Sequence, residues 1–179
     1  DEIKKGTNKI IIDLRNNPGG DSRACSRLLE AMDMREPSYG VFARNSKLLK
    51  KTYPNKSNRS FGNKEFKANK TTAKRNEKIN LVLLTSEYTF SSANMFVVFV
   101  QDGNLGKIIG VGSSNKPSCY GDVLNYTMEN SKLEVGMSYN RFLRPDEFAN
   151  QEIIIPDIET SYEEDSLDIA IDYLNSVNN

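Results

Sequence analysis

The chain has 179 residues, of which 24 are basic, 24 are acidic and 37% are hydrophobic. This length allows one domain with a proper core, and the formal charge of zero excludes a general attraction to nucleic acid or acidic membranes. The sequence contains no run of about 18 apolar residues, so no segment of this chain is expected to span a bilayer.

The first part of the chain predicts a strand, a tight turn and a helix. The run at 9–14 (KIIIDL) is rich in β-branched residues and stops at 16–20 (NNPGG), as a buried strand followed by a turn does. Apolar residues then recur at helical spacing over 21–35, with Asp21 or Ser22 as the helix cap.

A strongly basic segment follows at 44–78. It carries 12 basic residues against two acidic ones, while the rest of the chain carries 12 basic and 22 acidic residues. Its polar composition predicts a solvated loop, hairpin or arm. Binding of an acidic partner is the less favoured interpretation, and it predicts that deletion of 46–76 abolishes such binding.

The remaining elements continue the alternation. Short apolar or β-branched runs predict strands at 79–84, 107–111, 123–127, 132–142 and 152–155. The segment 91–102 is apolar nearly all round and predicts a buried helix, and a last helix begins near Asp165 or Ser166. Strands that alternate with helices predict an α/β domain with a largely parallel sheet.

Ser91 stands at the junction between a predicted buried strand and the predicted buried helix. The first amides of a helix have no partner within it, and the helix dipole favours negative charge there. This environment suits an anion or a developing oxyanion. On position alone, however, a simple helix-capping role for Ser91 is the more common explanation.

Two further segments could carry chemistry. Gly19 and Gly20 follow a strand, and glycine there permits a positive φ and close approach of the backbone to a ligand, although such turns are common. Lys116 lies in a loop. A lysine serves as a general base only where burial or a neighbouring charge lowers its pKa, and most loop lysines are simply solvated.

The sequence contains no histidine and two cysteines, Cys25 and Cys119. These counts exclude a disulfide scaffold and a Cys2His2 zinc site, although one bridge remains open. Within this chain they also exclude a Ser-His-Asp or Cys-His pair. Acid-base chemistry must therefore use lysine, carboxylates, tyrosine or residues outside this chain. We expect the chain to be a fragment of a longer protein.

Together these segments resemble the tail-specific, or C-terminal processing, serine peptidases of family S41. The run 10–20 (IIIDLRNNPGG) is similar to the family signature DLRxNxGG, and 90–96 (FSSANMF) resembles its nucleophile region. In the Ser-Lys branch the helix runs on to an Asp, a strand ends in Gly, and the lysine follows; Asp102, Gly110 and Lys116 match these places. The resemblance spans nearly the whole chain, from Gly6 to about Asn175, and implies that residues 1–179 form one peptidase core.

The resemblance implies a ClpP/crotonase-like spiral core, with a mostly parallel sheet plus short C-terminal strands and a helix. It implies that Ser91 is the nucleophile of a serine endopeptidase that works through an acyl-enzyme, with Lys116 as the base. The amide of Ser92 and one from Gly19 or Gly20 would form the oxyanion hole. Polypeptides would be the substrates, with no metal, cofactor or nucleic acid, in an extracytoplasmic location.

This sequence departs from the family pattern at several positions. Asn94 stands where Glu is frequent, and 111–112 (Val-Gly) replaces a frequent Glu-Pro. Tyr120 occupies the place of a Gln that binds the lysine, so Tyr120 and Asp102 are the candidates for supporting roles.

Several alternatives remain open. Another branch of the family uses a histidine and a glutamate, and then Lys116 would be an ordinary loop residue while Glu147 or Glu152 belongs to a site completed outside this chain. The core could also be a non-catalytic binding protein of the same fold. A third alternative is a crotonase-fold enzyme acting on acyl-CoA thioesters without a serine nucleophile.

Overall fold

This computed structural model describes residues 2–54 and 62–177 of the chain. These residues form two four-stranded sheets and four α-helices. The strands are β1 Lys9–Asp13, β2 Gly40–Asn45, β3 Gly62–Phe66, β4 Asn80–Thr85, β5 Lys107–Gly110, β6 Cys119–Thr127, β7 Glu134–Leu143 and β8 Ile158–Glu159. The helices are α1 Arg23–Ala31, α2 Lys47–Thr52, α3 Ser92–Asp102 and α4 Ser166–Ser176. Within the described ranges, none of these helices has the length and apolar character needed to cross a membrane.

The first sheet is parallel, with the strand order β1-β4-β5-β8. Its central strand β4 is buried on both faces, because Leu81 and Leu83 pack in the core cluster with α1 and α3, whereas Val82 and Leu84 pack against α4. Alternating residues of one strand thus supply two cores. The predicted α/β class and parallel sheet are confirmed.

The second sheet is antiparallel, with the order β3-β2-β7-β6. It is larger than the short C-terminal strands expected from the sequence, because β2 and β3 join it from the first half of the chain. The basic segment 44–78 therefore contributes the strand β3 and the helix α2, whose Leu49 is buried. Residues 55–61 of that segment lie outside the described residues.

The predicted strand at 152–155 is wrong. Ile154 is buried in the core and both neighbouring isoleucines are exposed, but 152–155 pairs with no strand in the described part of the chain. The carbonyl of Ile155 instead accepts a hydrogen bond of 2.7 Å from Gln101, and Pro156 has no amide to donate. The eighth strand begins only at Ile158.

Helix α1 is also shorter than predicted, since it ends at Ala31 rather than near 35. Asp33 follows with φ 54°, which turns the chain, although Met32 and Met34 on either side of it remain buried. The other predicted helices begin within a residue of their expected starts.

Arg15 joins the end of β1 to the start of α4. Its guanidinium donates to Asp13 at 2.7 Å and to Asp165 at 2.8 Å, and Asp165 also accepts from the Leu167 amide to cap α4. The hydrogen bond from Arg15 lowers the pKa of Asp13, and that from the Leu167 amide lowers the pKa of Asp165. The turn that follows Arg15 is thereby fixed at the edge of the parallel sheet.

Candidate active site

Ser91 lies immediately before α3 with a strained backbone. Its φ of 53° and ψ of −124° fall in a region that L-residues rarely adopt. Such strain persists only where the surroundings hold it, and here the buried elements β4 and α3 flank the residue. Its amide donates to the Asn115 side chain at 2.8 Å.

The Ser91 hydroxyl is exposed and uncommitted. A capping serine would accept a hydrogen bond from the first turn of the helix, yet Ser91 makes no side-chain cap bond. Among the described residues, its Oγ has no hydrogen-bond partner. Ser91 therefore does not act as a simple helix cap in this structure.

Ser92 differs from Ser91 in both respects. Its Oγ donates to the carbonyl of Gly20 at 2.8 Å, and the side chain is half-buried. Its backbone amide has no partner within the described part of the chain. Ser92 therefore offers an amide donor to the space beside Ser91, while its hydroxyl ties the Gly-Gly turn to α3.

Gly19 packs directly on Ser91 with φ 98°. A Cβ at this position would lie 2.7 Å from the Ser91 Cβ and 2.8 Å from both the Phe90 carbonyl and the Ser92 amide nitrogen. Only a glycine permits this approach. Gly19, a candidate site residue from the sequence, is thus required at this position on steric grounds.

Asn17 connects the turn to the serine loop and was missed by sequence reasoning. Its side chain accepts from the Gly19 amide at 2.9 Å, and its carbonyl accepts from the Phe90 amide at 3.0 Å. The Gly19 amide is therefore occupied, whereas the Gly20 amide has no partner among the residues described. The signal that could have found Asn17 is its place between the arginine and the glycines of the motif.

We expect Gly19→Ala to destabilise the fold by about 2–4 kcal/mol and to lower any Ser91-dependent activity by about 100-fold, because the new methyl group displaces Ser91. Gly6→Ala is the matched control, since Gly6 has φ 101° and nothing within 4 Å of an added Cβ. It should cost about 1–2 kcal/mol from the backbone alone. Equal losses in denaturant unfolding and equal activities would contradict the steric explanation.

Lys116 is held near Ser91 but binds another residue. Its ammonium group forms an ion pair with Glu152, and its side chain is 58% exposed. Within the described ranges it makes no hydrogen bond to Ser91. The structure thus brings Ser91, Ser92, Gly19 and Gly20 together and leaves the Lys116 amine engaged with Glu152.

Buried Asn94 attaches the Lys116 loop to α3. Its Oδ1 accepts from the Ser113 hydroxyl, and its Nδ2 donates to the Lys116 carbonyl at 3.4 Å. Asn115, between these loop residues, binds the Ser91 amide. Asn94, which stands where the family often has Glu, therefore links the Lys116 loop to α3 through hydrogen bonds.

Within the described ranges, neither Tyr120 nor Asp102 forms a hydrogen bond or ion pair with Ser91 or Lys116. Tyr120 is 72% exposed at the start of β6, with its ring 5.9 Å from the Arg141 guanidinium carbon. Asp102 lies at the far end of α3, where it forms a buried ion pair with Arg144. Their proposed supporting roles would have to act at a distance.

A cleft of about 1260 Å³ opens beside this cluster. Asn115, Lys116 and Glu152 line one part of it, and residues of the antiparallel sheet line another. Asn115 also binds the Ser91 amide, so the cleft and the serine share a wall. The cleft is large enough to hold several residues of a peptide.

The cysteines do not form a bridge and do not supply a reactive thiolate. Cys25 is buried and Cys119 half-buried, and both are free. Burial raises the pKa of Cys25 to about 11, which keeps the thiol protonated at neutral pH. Among the described residues, no group of three or more potential ligands could hold a metal ion.

Comparison with known proteins gives a family and a fold. A model described as peptidase family S41 matches residues 1–160. The solved structure of a lipoprotein from Streptococcus agalactiae superposes with a TM-score of 0.59 at 16% identity, covering 98% of this chain. The photosystem II D1 C-terminal processing protease superposes with a TM-score of 0.52 at 17% identity and covers 90% of this chain. Mature CPAF superposes with a TM-score of 0.58 at 15% identity and covers 97% of this chain.

These similarities concern only part of each solved protein. This chain spans 57% of the lipoprotein, 37% of the processing protease and 44% of mature CPAF. No curated protein matches the sequence. At such low identities the solved structures establish the shared fold, and the match to the family model adds the sequence relationship.

Proposed function

The chain belongs to peptidase family S41, and we propose that it is the catalytic core of a serine endopeptidase that cleaves polypeptides through an acyl-enzyme. One observation carries the proposal: Ser91 combines a strained backbone with an exposed hydroxyl, and neither this hydroxyl nor the nearby amides of Ser92 and Gly20 have a partner among the described residues. Ser92, whose hydroxyl binds the Gly20 carbonyl, lacks these features.

In the proposed reaction, Ser91 Oγ attacks the peptide carbonyl while Lys116 takes the hydroxyl proton. The amides of Ser92 and Gly20 stabilise the oxyanion, since the Gly19 amide already binds Asn17. The lysine then gives this proton to the leaving amine. In the second half of the reaction it takes a proton from the water that attacks the acyl-enzyme and returns it to Ser91 Oγ as the acyl bond to the serine breaks.

For this chemistry, Lys116 must exchange Glu152 for Ser91. Both members of the ion pair are largely exposed, at 58% and 73%, so the pair contributes little stability and can open readily. Asn94 and Asn115 hold the loop backbone beside Ser91 while the long lysine side chain turns. The proposal therefore requires the Lys116 side chain to leave Glu152 and turn toward Ser91.

The experiment that tests this mechanism measures hydrolysis of casein and labelled peptides by the full chain and by Lys116→Ala. We expect Lys116→Ala to lower kcat/KM by about 10²–10⁴-fold. Lys70→Ala is the matched control, since Lys70 is another cleft lysine in an exposed ion pair, here with Asp146. Glu152→Gln should retain or increase hydrolysis because it releases Lys116.

A second candidate mechanism is favoured by the Lys116–Glu152 pair itself. In the branch of the family that uses histidine and glutamate, the lysine would have no catalytic role and a glutamate such as Glu152 or Glu147 would act with a histidine from outside this chain. In a longer protein that supplies this histidine, full activity of Lys116→Ala, together with loss in Glu152→Gln or Glu147→Gln, would support that branch. Absence of hydrolysis by that longer wild-type protein would instead favour the binding-protein alternative.

We further propose that residues 1–179 form the peptidase core of a longer protein, with 44–78 as a basic excursion from it. The partial coverage of the similar solved structures supports this view. Partly unfolded polypeptides outside the cytoplasm are the proposed substrates. The similarity to a lipoprotein and to a processing protease supports that location.

A further inference from the structure

One row of side chains crosses the whole antiparallel sheet. Glu65 of β3 pairs with Phe42 of β2, Phe42 pairs with Arg141 of β7, and Arg141 pairs with Tyr120 of β6. Residues directly opposite each other in antiparallel strands share a face of the sheet. The row therefore presents an acid, an aromatic ring, a base and a second aromatic ring side by side.

This row faces the cleft beside Ser91. Glu65, Arg141 and Tyr120 line the cleft, and Phe42 between them is 41% exposed. The sheet positions all four backbones, so the row is preorganised in a way that side chains on loops are not. A polypeptide entering the cleft would meet this surface.

Arg141 and Lys67 are the cations of the cleft without an anionic partner among the described residues, and of these two only Arg141 belongs to the row. Three other cations of the cleft each have a carboxylate: Lys70 with Asp146, Lys116 with Glu152, and Arg144 with Asp102. Arg141 instead lies over the Tyr120 ring. Its hydrogen-bond donors remain available to a ligand in the cleft, as do those of Lys67.

We propose that Arg141, supported by Tyr120 and flanked by Phe42, binds a carboxylate of the polypeptide substrate; this rests on the proposed peptidase function. A guanidinium binds a carboxylate with two parallel hydrogen bonds, and stacking on an aromatic ring leaves its edge free to do so. Phe42 offers apolar contact to the adjoining part of the substrate. Glu65, at the far end of the row, repels a second carboxylate and so fixes the direction of binding.

The carboxylate has two sources, an Asp or Glu side chain or the C-terminus of the polypeptide. Both present the same planar group to Arg141, so the structure specifies the chemistry that they share. Four labelled peptides of one sequence separate them. Each has either Glu or Gln at one internal position, and either a free or an amidated C-terminus.

Binding is measured by fluorescence anisotropy on the Ser91→Ala protein, so that cleavage does not interfere. We expect removal of the carboxylate that Arg141 binds, whether the internal Glu or the free C-terminus, to weaken binding by about tenfold. Arg141→Gln should weaken binding of the carboxylate peptide equally and abolish the difference between the peptides. Arg141→Lys, which keeps the charge but not the paired hydrogen bonds, should fall between them, and circular dichroism checks that each variant is folded.

Arg44→Gln is the matched control, because Arg44 is an exposed arginine on β2 of the same sheet that does not line the cleft. If it weakens binding as much as Arg141→Gln, the attraction is general and the carboxylate subsite is overturned. Equal affinity for all four peptides also overturns it. Arg141-dependent carboxylate binding without hydrolysis by the wild type would preserve this inference while the peptidase proposal fails.

Discussion

Ser91→Ala is expected to reduce peptide hydrolysis by on the order of 10⁶-fold, to the background rate, because no acyl-enzyme can form without the hydroxyl. The oxyanion donors remain in this variant, so peptide binding should persist. The measurement is steady-state hydrolysis together with labelling by a fluorophosphonate. Mass spectrometry of the labelled wild type should place the adduct on Ser91.

Ser92→Ala is the matched control. This substitution removes the hydroxyl that binds the Gly20 carbonyl but keeps the backbone amide proposed for the oxyanion hole. We expect at most about a tenfold loss, from a looser Gly-Gly turn. An adduct on Ser92, or undiminished hydrolysis by Ser91→Ala, would contradict the assignment of Ser91.

The strain at Ser91 supplies a second readout from the same position. Glycine accepts a positive φ without the penalty that a Cβ carries, so Ser91→Gly should be more stable than Ser91→Ala by about 1–2 kcal/mol. Both variants lack the hydroxyl, so the difference in their unfolding free energies isolates the backbone term. Equal stabilities would show that the structure does not hold Ser91 under strain.

The serine, its helix and the Gly-Gly turn could be predicted from the sequence because each has a local signal. The apolar run before Ser91 and the apolar helix after it are both buried elements of the parallel sheet core. The motif 13–20 places two glycines after a strand. Because the turn follows the strand directly, the glycines lie at the end of the sheet, beside α3. These features depend on contiguous residues.

The antiparallel sheet could not be predicted in the same way. Its neighbouring strands β2 and β7 are far apart in the sequence, and nothing in 40–45 specifies the pairing of Phe42 with Arg141. The false strand at 152–155 shows the converse problem, since burial alternates there although no described strand pairs with it. The same limitation applies to Lys116 and Glu152, whose pairing joins two loops 36 residues apart.

Asp102 is a candidate for a supporting catalytic role, yet its contacts point to a structural one. Both side chains of the Asp102–Arg144 pair are buried, with exposed fractions of 1% and 3%. Arg144 also donates to the Asn150 carbonyl and to the Gln101 side chain, while Asp102 accepts from the Asp146 amide at 2.8 Å. The pair thus fastens the cleft wall to the end of α3.

Asp102→Ala is therefore expected to destabilise the protein by about 3–5 kcal/mol, because it leaves the Arg144 guanidinium buried without its anion. For a chain of this size, such a loss corresponds to a fall in Tm of roughly 10 °C, measurable by calorimetry. Lys70→Ala is the control: it breaks an exposed ion pair with Asp146 and should cost less than about 1 kcal/mol.

The double variant Asp102→Leu with Arg144→Met separates the charge effect from loss of packing. Apolar side chains of similar volume remove both buried charges, so this variant should be more stable than Asp102→Ala even though it carries two substitutions. If the double variant is the less stable one, hydrogen bonds from Arg144 to Asn150 and Gln101 contribute more than the cost of burying its charge. Because the Arg144 hydrogen bond to the Asn150 carbonyl holds the wall that carries Glu152, peptide binding in the cleft should weaken in the double variant whatever its stability.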